Sequence, residues 1–310
     1  MKKQIAPIRN GRGSTPRPVV GLSDVRRPAL RWHGGKFMLA PFIIDRMPPH
    51  RTYLEPFGGA ASVLLRKTPS YAEVVTDLDE RLREYFAVLR DPATYAELRR
   101  ALTYTPFHER EFMDIRDGVT PAETPVERAR HLCVLAFMSH GSDSLMPRGR
   151  PGFRSSVTRA GSTPALDWSN LPAGMDAIHE RLRRVTWLSV DAFDAIDKYE
   201  GDDVLIYADP PYHRSTRSQK ITRGEFYHGY LHEFDGDAEH ERLLKRLDSS
   251  PSMVMLSGYR CAMYDDMLAH WTRFDRVAQM DGQIKKTESL WLNPLAASRR
   301  PSPDLFGAHQ

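Results

Sequence analysis

An α/β fold is predicted by this sequence: a mostly parallel sheet covered by helices on both faces, interrupted by one mainly helical insertion. Three observations predict it. Short apolar runs that stop at Gly, Asp or Pro alternate with segments of helical periodicity. Acids and glycines gather at the ends of those runs, the edge at which parallel sheets bind ligands. From about residue 92 to 182 the alternation stops and no clear strand is legible.

Taken in order, residues 1–28 are rich in Pro, Gly, Arg and Ser without periodicity and read as a flexible basic arm. "RTYLEPFGG" offers a first strand ending in a glycine turn, and "ASVLLRK" continues as a helix. "YAEVVTDLDE" gives a second strand with acids at its end, followed by the amphipathic "ERLREYFAVLR". Residues 92–182 form the insertion, in which "ERARHLCVLAFMSHG" reads as helix and leads into an arginine-rich Gly/Pro/Ser loop around Phe153. The alternation resumes with "RRVTWLSVDAF", "DDVLIYADPPY" and "PSMVMLSGY", interleaved with the helical "AEHERLLKRLD" and "CAMYDDMLAHW". One domain thus comprises residues 29–91 and 183–294, with 295–310 as a flexible tail.

Composition sets limits. The chain has 310 residues, 41% of them hydrophobic and 27% charged, which is enough for one large core. No apolar run approaches the roughly 18 residues that span a membrane, and the amino terminus lacks a signal-peptide core, so a cytoplasmic protein without membrane partners is expected. The two cysteines, Cys133 and Cys261, lie in apolar or helical segments and read as thiols. His228, His232 and His240 have no companion cysteines, and no metal site is expected.

The chemistry concentrates in two places. Gly58 and Gly59 end the first strand, where missing side chains let a ligand approach the backbone. The pattern is neither the dinucleotide fingerprint nor a Walker A loop, and Asp77 at the end of the second strand suits ribose hydroxyls, so an adenosine-containing cofactor is indicated. In "YADPPY", Asp209 supplies an acceptor and Pro210 a carbonyl, while Pro210 and Pro211 stiffen the turn. Tyr212 adds a stacking face, and the set suits the exocyclic amine of a nucleobase. Each piece has a plainer reading: a strand-ending turn, a βα glycine turn, a helix cap at Asp77, a surface charge at Lys36, a core Trp32. Their joint occurrence favours the chemical one.

In this combination the chain resembles the Dam-type DNA adenine methyltransferases, in particular their phage and prophage members, over most of residues 28–294. The resemblance rests on "LRWHGGK", "YLEPFGGAASV", "TDLDE", "VDAFD", "YADPPY", "LSGY" and "KKTESLWLNP" in that order. It implies a Rossmann-like class I methyltransferase sheet, S-adenosylmethionine as cofactor, and transfer of its methyl to N6 of an adenine flipped out of double-stranded DNA. By matched motif, the cofactor residues are Trp32, His33, Gly34, Lys36, Glu55, Pro56, Phe57, Gly58, Gly59, Asp77, Leu78, Asp191, Ala192, Phe193 and Asp209. His33 stands where the family varies. Asp209, Pro210, Pro211 and Tyr212 would be catalytic: two acceptors pull the amine toward a tetrahedral nitrogen, and Tyr212 stacks on the base. The insertion would read the DNA sequence, with Arg148, Arg150 and Arg154, and the loop after Tyr212 would add Arg214, Arg217, Lys220 and Tyr227. Restriction-modification is a fitting setting, and a monomer or weak dimer is expected. Methylation of the cytosine amine, where Ser more usually replaces Asp209, and a DNA-binding relative without turnover are the competing readings.

Overall fold

The computed structural model describes residues 20–140, 145, 151–156, 162–216, 220–222, 225–227, 236–279 and 285–301. Nine strands are described: β1 (Thr52–Glu55), β2 (Ala72–Thr76), β3 (Thr186–Leu188), β4 (Val204–Ala208), β5 (Lys220–Thr222), β6 (Glu225–Tyr227), β7 (Met253–Gly258), β8 (Thr272–Gln279) and β9 (Lys285–Leu292). Seven of them form one sheet in the order β3-β2-β1-β4-β7-β9-β8, and β5 pairs only with β6. The first five strands of the sheet are parallel, whereas β9 runs antiparallel to both β7 and β8. From β1 the chain moves outward first through β2 and β3, and later through β4 and β7. The topological switch point therefore falls between β1 and β4, where such sheets open a crevice at their carboxyl edge.

Among the described residues twelve helices accompany the strands: α1 (Ala40–Ile44), α2 (Ser62–Arg66), α3 (Glu80–Arg90), α4 (Pro92–Tyr104), α5 (Glu109–Arg116), α6 (Pro125–Met138), α7 (Pro164–Ser169), α8 (Leu171–Leu182), α9 (Ala192–Tyr199), α10 (Asp237–Asp248), α11 (Ala262–Met267) and α12 (Pro294–Arg299). Side-chain alternation along the strands divides the core into two layers. Tyr53, Val75, Leu205, Tyr207, Met255 and Leu290 pack with helices α1 to α3 and with the helices of the 92–182 stretch. Leu54, Val74, Ile206, Val254, Leu256 and Trp291 pack with α9, α10 and α11. Helices α4 to α8 thus share the first layer's core instead of standing apart from it. Local signals start them: Asp91 caps α4, Thr124 and Glu127 form a reciprocal capping box on α6, and Pro occupies the first turn of α4, α6, α7 and α8.

A buried charge cluster fastens α8 to the sheet. Arg181 grips Glu73 with two nitrogens at 2.5 and 2.8 Å and donates to the carbonyls of Leu64 and Lys67. Lys67, fully buried, donates at 2.5 Å to Glu73 Oε1, the oxygen that Arg181 Nη2 also reaches, and to Ser70 Oγ and the Thr68 carbonyl. The cluster joins the end of α2, strand β2 and the last helix before β3.

Two sequence expectations need correction. Residues 20–28 are packed, not a free arm: Val25 is buried, Ser23 hydrogen-bonds to the Leu65 and Arg66 carbonyls, and Arg27 reaches the Asp167 carbonyl. At the other end, Pro294–Arg299 is helix α12, capped by Asn293 and buried at Ala296, so the tail is ordered through it. Strand β8 carries no apolar alternation because "TRFDRVAQ" places charge on its outer positions, as an edge strand does. Among the described residues no helix is long and apolar enough to cross a membrane. Replacing Arg181 by Ala should destabilise the protein by about 3 kcal/mol, since it leaves buried charge and carbonyls unmatched. Urea unfolding followed by circular dichroism should show a lowered midpoint.

Candidate active site

At the carboxyl edge of the sheet the chain leaving β1 closes on the end of β2 without side-chain bulk. Gly58 N–H donates to the Thr76 carbonyl at 2.9 Å. A Cβ on Gly58 would meet Val75 Cγ1 at 2.5 Å, so only glycine fits. Gly59 follows with φ +49°, and Ala61 adopts φ +50° although it is not glycine. A left-handed alanine at the start of α2 is a strained backbone, held by Ala61 N–H to Gly58 O and by complete burial.

Asp77 completes the turn. One carboxylate oxygen accepts from Gly59 N–H at 2.7 Å and the other from Asp79 N–H at 2.8 Å. Asp79, not Asp77, caps α3, accepting from Arg81 N–H, and the Arg81 guanidinium grips the same carboxylate twice. Asp77 is therefore left beside the glycine turn, with both carboxylate oxygens turned to backbone N–H groups. On the far side, Asp191 caps α9 through Phe193 N–H at 2.8 Å, and the Arg242 guanidinium lies 4.0 Å from the Phe193 ring centroid.

These parts surround one cavity of about 560 Å³. Of the expected cofactor residues, Trp32, His33, Gly34, Lys36, Glu55, Pro56, Phe57, Gly58, Gly59, Asp77, Leu78, Asp191, Ala192, Phe193 and Asp209 all line it. Trp32 stands beside Gly59, with its ring atoms 3.5 Å from where a Cβ would be. The volume falls within the usual range for small-molecule pockets, and an aromatic wall, a bare glycine turn and acids at the second and third strand ends fit an adenosine-bearing ligand.

The cavity ends at a buried charged group. Lys36 Nζ lies 2.9 Å from Asp209 Oδ2 and 3.6 Å from Glu288 Oε1, and donates to Gly34 O at 2.7 Å. The Tyr212 hydroxyl donates to Glu288 Oε1, its ring centroid lies 4.7 Å from Lys36 Nζ, and Tyr259 meets the ring edge-to-face at 4.6 Å. Asp209 Oδ1 is buried with no hydrogen-bond partner. Burial lifts the Asp209 carboxyl to about 6, opposed by the Lys36 ammonium and helped by Glu288. Burial lifts Glu55 further, to about 8, against hydrogen bonds from Tyr53 and the Leu64 N–H. At neutral pH Glu55 thus keeps its proton while Asp209 is ionised. Pro211 lines the cavity and Pro210 is buried behind it.

The expected DNA residues fare unevenly. Arg154 turns back onto Asp167 at 3.4 Å, which occupies its guanidinium within the protein. Arg148, Arg150 and Arg217 lie outside the described residues. The Arg214 backbone enters a 3-10 turn, and Lys220 pairs with Tyr227 across the β5–β6 hairpin, their side chains lying outside the description. His228 and His232 are outside it too, whereas His240 is buried against the Tyr264 hydroxyl. Among the described residues no His, Cys, Asp and Glu side chains gather as a metal-binding group. Sequence reading missed Glu288, Tyr259, Arg81, Glu239 and Arg242. Only Glu288 carried a local signal, an acid one step before the apolar "SLWL" of a buried strand.

The glycine-turned crevice of this α/β sheet thus ends in an acid, two prolines and a tyrosine. The chain belongs to the D12 class N6 adenine-specific DNA methyltransferase family, whose model matches residues 32–281. It is similar to a DNA adenine methylase of Vibrio cholerae serotype O1, at 25% identity over 189 residues, or 60% of this chain and 65% of that protein. The match therefore spans slightly less than two thirds of that relative. It is also similar to the type II methyltransferase M.MjaIII of Methanocaldococcus jannaschii, at 22% identity over 74% of this chain and 83% of the relative. The type II methyltransferase M1.LlaDCHI of Lactococcus lactis subsp. cremoris is 26% identical over 78% of this chain and 84% of its own length.

The collision at Gly58 yields a test of the turn. Gly58→Ala should cost about 1–3 kcal/mol by overpacking, and Val75→Ala in the same chain should recover part of the loss by opening space beside it. Thermal melts of the single and double variants give the comparison.

Proposed function

We propose that this protein transfers a methyl group from S-adenosylmethionine to N6 of an adenine in duplex DNA. The single observation that carries the reading is the state of Asp209. Lys36 takes Oδ2, which leaves Oδ1 as a buried acceptor without a partner on a residue that lines the cavity. An unmet buried acceptor is costly unless a ligand supplies the donor, and an exocyclic amine supplies an N–H.

Trp32, the Gly58–Gly59 turn, Asp77, Asp191 and Phe193 would hold the cofactor, which supplies an electrophilic methyl on a sulfonium. Asp209 Oδ1 and the Pro210 carbonyl would accept hydrogen bonds from the two amine N–H groups and draw the nitrogen lone pair out of the ring, so that the N–C bond could form as the C–S bond breaks to leave a neutral thioether, with one nitrogen proton then passing through Asp209 to solvent. The same acceptors then stabilise the positive charge that forms on nitrogen, and Lys36 keeps Asp209 ionised for the task. Because a base inside a duplex is out of reach, the adenine enters flipped out, with Tyr212 as the ring it meets. The 92–182 stretch and the loop after Tyr212 are the parts assigned to the rest of the DNA.

Expression in a host lacking adenine methylation, followed by direct single-molecule reading of modified bases, tests the assignment. Methyladenine in one short context is expected. Methylcytosine would transfer the reading to the cytosine amine, and silence from folded protein with cofactor and DNA supplied would leave a binding protein. Asp209→Ala should lower turnover at least about a hundredfold while leaving DNA affinity nearly intact. Asp77→Ala should chiefly weaken cofactor binding, measured by calorimetry. For the parent enzyme, kcat/KM should rise with pH through about 6 and level above it, because the Asp209 carboxyl must be ionised to accept.

A further inference from the structure

Glu288 lies at the catalytic edge because β9 runs against its parallel neighbours. Ser289 pairs with Gly258 at the carboxyl end of β7, so the beginning of β9, not its end, reaches the active site. There the Glu288 side chain is almost wholly buried, an arrangement that costs free energy unless its charge is matched and its oxygens are bonded. Lys36 does the first at 3.6 Å, in competition with Asp209, and the Tyr212 hydroxyl does the second. An apolar side chain would fill the same space without the desolvation cost. The acid therefore has its use in where it holds Tyr212.

We propose that Glu288 is a positioning residue of the methyl transfer, acting through Tyr212: it fixes the phenol ring against Lys36 and Tyr259, and with it the place where the target base stacks beside Asp209. This rests on the function proposed above and deepens it. Two properties of Glu288 can be separated. Its oxygen accepts the phenol O–H, which glutamine can also do. Its charge acts on Lys36 and Asp209, which glutamine cannot. The ionisable groups facing it are Lys36 from the loop before α1, Asp209 and Tyr212 after β4, Tyr207 within β4, and Tyr259 after β7. Arg276 is its register partner on β8.

The test is single-turnover methylation of a duplex by the wild type, Glu288→Ala, Glu288→Gln, Tyr212→Phe and the Glu288→Ala/Tyr212→Phe pair, from about pH 5 to 8. Cofactor binding and melting temperature are measured alongside. Glu288→Ala and Tyr212→Phe should each slow the transfer step by about 10- to 100-fold, with a smaller change in KM for DNA. The pair should be no slower than the slower single variant, as expected when one residue acts through the other. Glu288→Gln should stay within about fivefold of the wild type near neutral pH, and its acid limb should move to lower pH, because Asp209 loses a neighbouring negative charge. Cofactor affinity should be unchanged throughout. Losses that multiply in the pair, or a folded Glu288→Ala at wild-type rate, would overturn the positioning role while leaving the adenine reaction standing. So would a Glu288→Gln as slow as Glu288→Ala with no shift in its acid limb. A wild type that methylates no adenine overturns both.

Discussion

The close approach of β1 to β2 at Gly58 governs the rest of this molecule. With no Cβ between them, the Gly58 N–H reaches the Thr76 carbonyl and the two strand ends lie one hydrogen bond apart. Everything downstream follows from that distance. The chain must turn through a positive φ at Gly59, it must tolerate another at Ala61, and Asp77 comes within reach of the turn's free N–H. The strain at Ala61 is tolerated because the residue is fully buried and bonded, and because α2 begins at once behind it. A side chain at Gly58 would part the strands and remove the floor of the cavity.

Around that floor the site is built from charges whose balance burial sets. Asp209 and Glu288 share one ammonium, Lys36, and burial raises the Asp209 carboxyl, yet the ammonium keeps it ionised at neutral pH. Glu55, a few residues from the glycine turn, is lifted further by burial than the Lys67 ammonium lowers it. One carboxyl accepts and the other can donate, although both sit on the same edge of the same sheet. Burial is the larger influence on both, and Asp209 has in addition the Lys36 ammonium at 2.9 Å, itself held by the carbonyl of Gly34.

The sequence made much of this legible because the informative residues are local. Strand ends marked by Gly58, Asp77, Asp191 and Asp209 follow from period and punctuation, and these residues line one cavity because a parallel sheet brings its strand ends to one edge. What stayed hidden depends on pairing that no local pattern announces. β8 presents arginines and aspartate outward and so lacks an apolar alternation, and Glu288 reaches the site only because β9 is antiparallel. Residues 20–28 look like linker by composition, and their order comes from acceptors on the end of α2. Arg154 reads as a free cation until Asp167 is seen beside it.

The clamp of Arg181 on Glu73 has a bearing on how such a protein could diversify. Helix α8 closes the stretch between β2 and β3, and buried charge welds it to the sheet and to the end of α2. The stretch is not a cassette with two free ends. Its exit is part of the scaffold, so a transplanted segment that omitted Arg181 would carry away a support of the sheet whose strand ends line the cavity.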